Sequence, residues 1–235
     1  MRGKITAIIL AAGQGKRMNS TVAKQFLELQ NKPILYYSLS TFQKSTVDQI
    51  ILVTGRDQID YCKELVTQHR FDKVSEIIQG GKERYDSVYC ALQSIKDCSY
   101  VLIHDGARPF ISLRLIEESI IKVRELNACI LGVPVKDTIK VVDDNGEIVS
   151  TPDRNTLWTA QTPQCFMYCQ IRQAYEKLME TKNLENLSIT DDAMVYETFL
   201  RKSVHMITGD YSNIKITTPE DLIMAEKILE DTFLR

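Results

Sequence analysis

Arg17 and Lys24 stand seven residues apart, just beyond an apolar run that ends in Gly13-Gln14-Gly15. A glycine turn lets backbone N–H groups approach a phosphate closely. Cations beside such a turn suit phosphates that gain negative charge as they react. Taken singly, Lys16, Arg17 and Lys24 would serve equally well as solvated loop charges. The loop is not a dinucleotide fingerprint. Met18 stands where G-x-G-x-x-G has its third glycine, and Val53-Thr54-Gly55 offers no acid for a ribose. It is not a Walker loop either, because no Gly-Lys-Ser/Thr follows at the required spacing. A hydride-transfer enzyme and a P-loop ATPase both lose ground.

Two further constellations carry possible chemistry. In VLIHDGARPF an apolar strand runs into Asp105, Gly106 and Arg108. Ligands of open parallel sheets bind beyond the carboxyl ends of the strands, so Asp105 would lie beside a metal-bound polyphosphate. A carboxylate there suits Mg²⁺, which prefers oxygen ligands and keeps phosphates as partners. The alternative is a local turn with Gly106 and a pairing with Arg108. His104 should point to the opposite face and reads as structural. Gly80, Gly81 and Ser87 follow another strand where a helix begins. Free N–H groups there could meet a ligand or merely shape the turn. Asp191 and Asp192 look like a carboxylate pair, but following Thr190 they read first as a helix start, where acids complement the dipole.

These residues need elements to hold them. Short runs rich in Val and Ile (Ala7–Ala11, Ile50–Val53, Val74–Ile78, Tyr100–Ile103 and Cys129–Val133) predict buried strands. Between them lie amphipathic helical stretches, marked by Leu35, Leu39 and Phe42 after Pro33, by Tyr85, Val88, Leu92 and Ile95, and by Leu115, Ile116, Ile120 and Val123. The alternation predicts an α/β fold with a doubly wound, mainly parallel sheet. KVVDDNGEIVSTPDR breaks the rhythm. It reads as a β-hairpin around Asp144-Asn145-Gly146, an arm projecting from one domain spanning residues 1–235. A helix is expected from about Met167 to Met179 and another from near Thr190. The end reads as a strand, NIKIT, then a helix capped by Thr218 with Pro219, Glu220 and Asp221 in its first turn. Trp158 is expected at the base of the arm.

Composition narrows the partners. The chain has 235 residues, 44% of them hydrophobic, and a net charge of −2 with scattered basic residues. That supports a sizeable core and argues against nucleic acid as a ligand. No apolar run approaches the roughly 20 residues of a bilayer-spanning helix, and Ile5–Ala12 is short for a signal peptide. Six cysteines lack any CxxC pair, and Cys165 and Cys169 have no histidine nearby to complete a zinc site. They read as buried thiols of a cytoplasmic protein.

The segments LAAGQGKRM…KQF, GGKERYDSV, HDGARPF, PVKDTIK, DRNTLWTAQTPQCF, TDDA and NIKITTPEDL occur in an order that resembles the 2-C-methyl-D-erythritol 4-phosphate cytidylyltransferase family, from about Lys4 to the final helix. The first motif alone is shared with many sugar nucleotidyltransferases. The resemblance implies a Rossmann-like nucleotidyltransferase that joins CTP to a polyol phosphate, methylerythritol phosphate, with Mg²⁺ and release of pyrophosphate. It implies a homodimer built through the β-arm at about residues 136–157. By resemblance, Ala11, Ala12, Gly13, Gly15, Gly80, Gly81 and Ser87 contact the nucleotide. Arg17, Lys24 and Lys215 stabilise the reacting phosphates. Asp105, Gly106, Arg108, Thr138, Arg154 and Thr190 bind the substrate, Asp105 lies at the metal, and some of these residues reach a neighbour's site through the arm. Asp137 stays outside this set. Ala23 departs from a proline common before Lys-Gln, and Lys82 from a common acid. The attacking group would be a phosphate whose second pKa is about 6, so no general base is needed. Ribitol 5-phosphate cytidylyltransferases have similar motifs, although DRNTLW and HDGARP resemble the isoprenoid enzymes more. A regulatory nucleotide-binding protein would have little use for Arg17, Lys24 and Asp105 together.

Overall fold

The computed structural model describes residues 3–13, 18, 23–181 and 187–233. The five apolar runs form β1 (Ile5–Ala11), β4 (Gln49–Thr54), β5 (Val74–Gln79), β6 (Tyr100–Asp105) and β7 (Ala128–Pro134). A small ladder of β2 (Glu28–Leu29) and β3 (Lys32–Pro33) precedes α1 (Ile34–Lys44), for which Pro33 is the N-cap residue. Then come α2 (Ile59–His69), α3 (Arg84–Ser94) and α4 (Leu113–Leu126). The hairpin strands are β8 (Val141–Val142) and β9 (Ile148–Ser150). They are followed by β10 (Trp158–Met167), α5 (Tyr168–Glu180), α6 (Asp192–Leu200), β11 (His205–Thr208) and α7 (Pro219–Phe233). Seven strands make the main sheet in the order β11-β7-β10-β6-β1-β4-β5. All of its pairs are parallel except those of β10, which runs antiparallel to β6 and β7.

Alternation along the strands divides the core between two faces. Ile5, Ala7 and Ile9 of β1 pack with Leu39 and Phe42 of α1, Leu65 of α2 and Ile116 and Ile120 of α4. Ile8 of β1 and Val53 of β4 face the other way, onto Val88 and Leu92 of α3 and Ile171 and Tyr175 of α5. The sheet is therefore doubly wound, as expected. Local signals hold the helices in place. Ser112 caps α4 by accepting from the Leu115 N–H at 3.2 Å, and Asn127 ends it in the left-handed region at φ 66°. Among the described residues no helix is long and apolar enough to cross a membrane.

The hairpin forms where expected, with Gly146 at φ 83° in its turn, and among the described residues it pairs with no other strand. Several expectations need correction. Helix α2 was not foreseen, and neither was β10. Its stretch Thr159–Gln164 looks too polar for a central strand, yet Gln161, Thr162 and Gln164 are buried. The ladder with β7 is interrupted between Ala160 and Gln164, and Pro163 sits in that gap, where it forfeits no ladder bond. NIKIT is not a strand. Asn213 donates its side-chain amide to the Thr162 carbonyl at 3.0 Å, and the Ile216 N–H bonds the Ala107 carbonyl at 2.9 Å. The segment is stapled to loops instead of pairing in a ladder, and β11 occupies the sheet edge. All six cysteines are free, but only Cys62, Cys129 and Cys165 are buried; Cys90 and Cys169 lie on exposed faces of α3 and α5. Trp158 opens β10 opposite Pro134 at the root of the arm, still 37% exposed.

A hydrogen-bond relay locks the end of β6 to β10. The Asp105 N–H donates to Thr162 Oγ1 at 3.1 Å. That hydroxyl lies 3.0 Å from His104 Nδ1, and His104 Nε2 lies 3.2 Å from the Arg108 carbonyl. A carbonyl can only accept, so Nε2 carries the proton and Nδ1 accepts from Thr162. The ring is thus held neutral in a fully buried site. Burial pushes its pKa from 6.5 to about 4, despite the neighbouring Asp105 charge. Between these two values the unfolded chain takes up a proton that the folded chain refuses. Stability should therefore fall as pH drops through that window, by about 3 kcal/mol on reaching the lower value. Urea unfolding midpoints across this range would reveal the slope, and His104→Gln, which cannot titrate, should remove it.

Candidate active site

The carboxyl ends of β1, β4 and β6 meet in register, with Leu10 opposite Asp105 and Ala11 opposite Thr54. β1 and β4 are each tied to the loop that follows a neighbouring strand. The Gly106 N–H bonds the Leu10 carbonyl at 2.8 Å, and the Gly80 N–H bonds the Thr54 carbonyl at 2.9 Å. A Cβ on Gly80 would fall 2.6 Å from Ser87 Oγ and 2.7 Å from Ala12 Cβ, so the close approach of these segments requires glycine. Ser87 Oγ accepts from the Gly81 N–H at 3.1 Å and donates to the Glu83 carbonyl at 3.2 Å. Glu83 and Asp86 cap the start of α3 reciprocally, which delivers Arg84 as the first helical residue.

Two adjoining clefts open over these strand ends. The first, about 180 Å³, is lined by Ala12, Gly13, Lys24, Gly81 and Ser87 among others. The second, about 210 Å³, is lined by Arg108, Gln161, Thr162, Thr190 and Asp191. Arg84, Asp105 and Lys215 line both and form the seam.

Asp105 is the electrostatic centre of that seam, only 7% exposed. Lys215 Nζ lies 2.8 Å from Oδ2, Arg84 Nε 3.4 Å from Oδ1, and Arg108 Nε 3.8 Å from Oδ2. Burial favours the protonated acid, but the pull of Arg84, Lys215 and Arg108 outweighs it and holds the carboxyl well below the usual range. Arg84 is held on its far side by Asp192, with Nη1 to Oδ1 at 2.8 Å and Nη2 to Oδ2 at 2.7 Å. Burial works against its charge, but Asp192 and Asp105 more than offset that and raise its pKa. Arg108 Nη1 donates to the Asn213 carbonyl at 2.7 Å, while its buried Nε has no hydrogen-bond partner among the described residues.

Lys24 reaches the first cleft from a single helical turn, Lys24–Phe26. Buried Gln25 sets that turn in place, donating to the Ala11 carbonyl and, at 3.1 Å, to the Gly13 carbonyl. Ala23 has φ −61°, an angle proline also adopts, so the departure at this position leaves the backbone unaltered.

The expected site residues separate into groups. Ala12, Gly13, Lys24, Gly81, Ser87, Asp105 and Lys215 meet at the first cleft, and Arg108 and Thr190 at the second. Ala11, the last residue of β1, and Gly80 and Gly106, just past β5 and β6, line neither cleft. Thr138 and Arg154 line neither cleft. Both are exposed on the arm, where Arg154 Nη1 donates to the Lys136 carbonyl at 3.0 Å. Gly15 and Arg17 lie outside the described residues. The helix start expected near Thr190 is present, and Asp191 is its cap, accepting from the Met194 N–H at 2.9 Å. Arg84, Gln25, Thr162 and Asp192 were missed. Arg84 and Gln25 stand inside quoted motifs, but nothing in their spacing separates them from ordinary surface charges and amides. His104 faces the relay and not the cleft, so the seam gathers fixed charge and offers no imidazole base among the described residues. Such a seam can bring two anions together.

The model of the 2-C-methyl-D-erythritol 4-phosphate cytidylyltransferase family matches residues 5–231. A protein of that name from Lachnoclostridium phytofermentans is 52% identical over 229 residues, covering 97% of each chain. One from Clostridium botulinum (strain Loch Maree / Type A3) is 50% identical, covering 97% of this chain and 98% of that protein. The crystal structure of 4-diphosphocytidyl-2C-methyl-D-erythritol synthase from Anaerococcus prevotii superposes with a TM-score of 0.85 at 34% identity, covering 97% of this chain and 96% of that one. Sequence and fold likeness both run over nearly the whole chain, and the chain belongs to the 2-C-methyl-D-erythritol 4-phosphate cytidylyltransferase family.

Proposed function

We propose that the chain transfers the cytidylyl group of CTP to 2-C-methyl-D-erythritol 4-phosphate, giving 4-diphosphocytidyl-2-C-methyl-D-erythritol and pyrophosphate. The observation that carries this reading is the seam itself, where one buried, ionised Asp105 is ringed by Arg84, Arg108 and Lys215 between two clefts. Family membership supplies the identity of the two substrates.

In this reading the nucleotide occupies the first cleft, over Ala11, Ala12, Gly13, Gly80, Gly81 and Ser87, and Gly15 joins them by resemblance alone. Gly13 supports it. A Cβ there would meet nothing within 4 Å among the described residues, and without one the backbone can approach a ligand closely. The polyol phosphate occupies the second cleft, beside Asp105, Gly106, Arg108 and Thr190. Arg108, whose Nε stands 3.8 Å from Asp105 Oδ2, brings a cation to the lining of this cleft. A phosphate oxygen of the polyol attacks the α-phosphorus of CTP. The new P–O bond forms as the α–β bridge breaks, and the electron pair leaves with pyrophosphate. The nucleophile is already largely dianionic near neutral pH, so no proton needs to be removed. Arg17, Lys24 and Lys215 act by holding the anions and the charge that grows on the α-phosphoryl oxygens.

Asp105 would hold Mg²⁺. Among the described residues there is no cluster of three or more histidines, cysteines and acids. One ionised carboxylate beside a polyphosphate fits Mg²⁺, which takes most of its other ligands from phosphate and water. Bound there, the ion would neutralise phosphate charge. The arm supports a homodimer: Val142, Ile148 and Val149 are 54%, 63% and 66% exposed, an apolar surface suited to a second copy. Thr138 and Arg154 would then serve the partner's site. Free cysteines fit a reducing cytoplasm.

Pyrophosphate release should require CTP and methylerythritol phosphate together. Turnover with ribitol 5-phosphate and none with methylerythritol phosphate would refute the assignment. Lys24→Ala should fold normally and lose about a hundredfold in kcat, the scale for removing one donor to transition-state charge. An unchanged kcat would remove Lys24 from the mechanism. Replacing Val142 and Val149 by lysine should give monomers in sedimentation velocity, with turnover lost alongside. A persisting dimer would exclude the arm as the interface.

A further inference from the structure

Asp192 has no exposed surface, yet several polar groups converge on it. Besides the two bonds from Arg84, the Tyr175 hydroxyl donates to Oδ1 at 2.6 Å. Gln164 Oε1 accepts the N–H groups of Asp192 and Ala193, both at 3.0 Å, and so fixes the backbone at this point. Starting α6 does not need the Asp192 side chain, because Asp191 already provides the cap. Net stability is a weak reason for keeping such a pair. Two charges taken out of water recover little more than the cost of their desolvation, and an apolar pair of the same shape often does as well. The side chain calls for another reason.

The reason lies in how Arg84 is shared. Its planar fork matches one carboxylate with two parallel bonds, and that carboxylate is Asp192, at 2.8 and 2.7 Å. Asp105 receives only the Nε edge, at 3.4 Å. Without a charge at Asp192, Asp105 is the carboxylate left beside Arg84. A fork turned onto it would close two strong bonds over the group at the centre of the seam.

We propose that Asp192 is a positioning residue: by taking both terminal nitrogens of Arg84 it withholds the fork from Asp105, which stays available to the metal-bound nucleotide. This rests on the functional reading given above. Tyr175 and Gln164 serve the same end, by holding Asp192 where it meets Arg84.

Asp192→Asn keeps the shape and removes the charge. The Mg²⁺ concentration for half-maximal pyrophosphate release should rise about tenfold, and Arg84→Met added to it should bring the requirement back to within about twofold of that of Arg84→Met alone. Mn²⁺ titrated in the presence of CTP, followed by water-proton relaxation, should report the same pattern as an affinity. Tyr175→Phe retains both charges and only loosens Asp192, so it should raise both constants by about two- to threefold and serves where Asp192→Asn fails to fold. A lower melting midpoint with unchanged metal requirement and Mn²⁺ affinity would overturn the proposal. So would a shift that survives removal of Arg84. If the unaltered chain fails to turn over methylerythritol phosphate, the functional reading falls by itself, and the Mn²⁺ titration still judges Asp192.

Discussion

The structure depends on keeping one carboxylate ionised out of water. A charge as buried as Asp105 would ordinarily take up a proton, and it stays charged because opposite charges stand within 4 Å. Those charges come from widely separated parts of the chain. Arg84 opens α3, Arg108 follows β6, and Lys215 precedes α7. Gathering them demands that strand ends, a helix start and a late loop be held together to within a few tenths of an ångström. Much of the irregular hydrogen bonding does this, notably the relay through Thr162 and His104 and the bonds of Asn213 and Ile216.

The cations are not equivalent. Arg84 and Arg108 are pinned, one by a carboxylate and the other by the Asn213 carbonyl. Lys215 has 36% of its side chain exposed and sits on a flexible stem. The seam therefore combines a fixed frame with one cation able to follow a moving charge. Gln25 does a comparable job for Lys24, bracing its short turn against the end of β1. In each case a neutral or opposite partner decides where the cation points, and the bonds to that partner come from the fold.

Much of this was legible in the sequence. The short Val- and Ile-rich runs marked five strands because a parallel sheet buries both of its faces and needs uninterrupted apolar residues. Gly80 and Asp105 were found because they close apolar strands, and Lys215 through the resemblance alone. What escaped had a common cause. Strand β10 is polar for a central strand because Gln161, Thr162 and Gln164 bond loops and caps from within the sheet, and local patterning carries no trace of partners so far away in sequence. NIKIT alternates like a strand, yet its alternation separates Lys215 at the seam from Ile216 in the core beneath α7. Arg84 and Asp192 lie 108 residues apart, and only the fold reveals them as a pair.

The arm leaves β7 at Pro134 and returns to β10 at Trp158, two residues that face each other across one ladder. Its exit and re-entry are therefore neighbours, and the sheet closes beneath it regardless of what the excursion contains. Closing a longer loop between adjacent ends adds only slightly to the entropic cost. Evolution can thus lengthen, shorten or exchange this appendage as a module while the sheet beneath it keeps its register. Grafting it between relatives would make chimaeras that carry different arms over one and the same sheet.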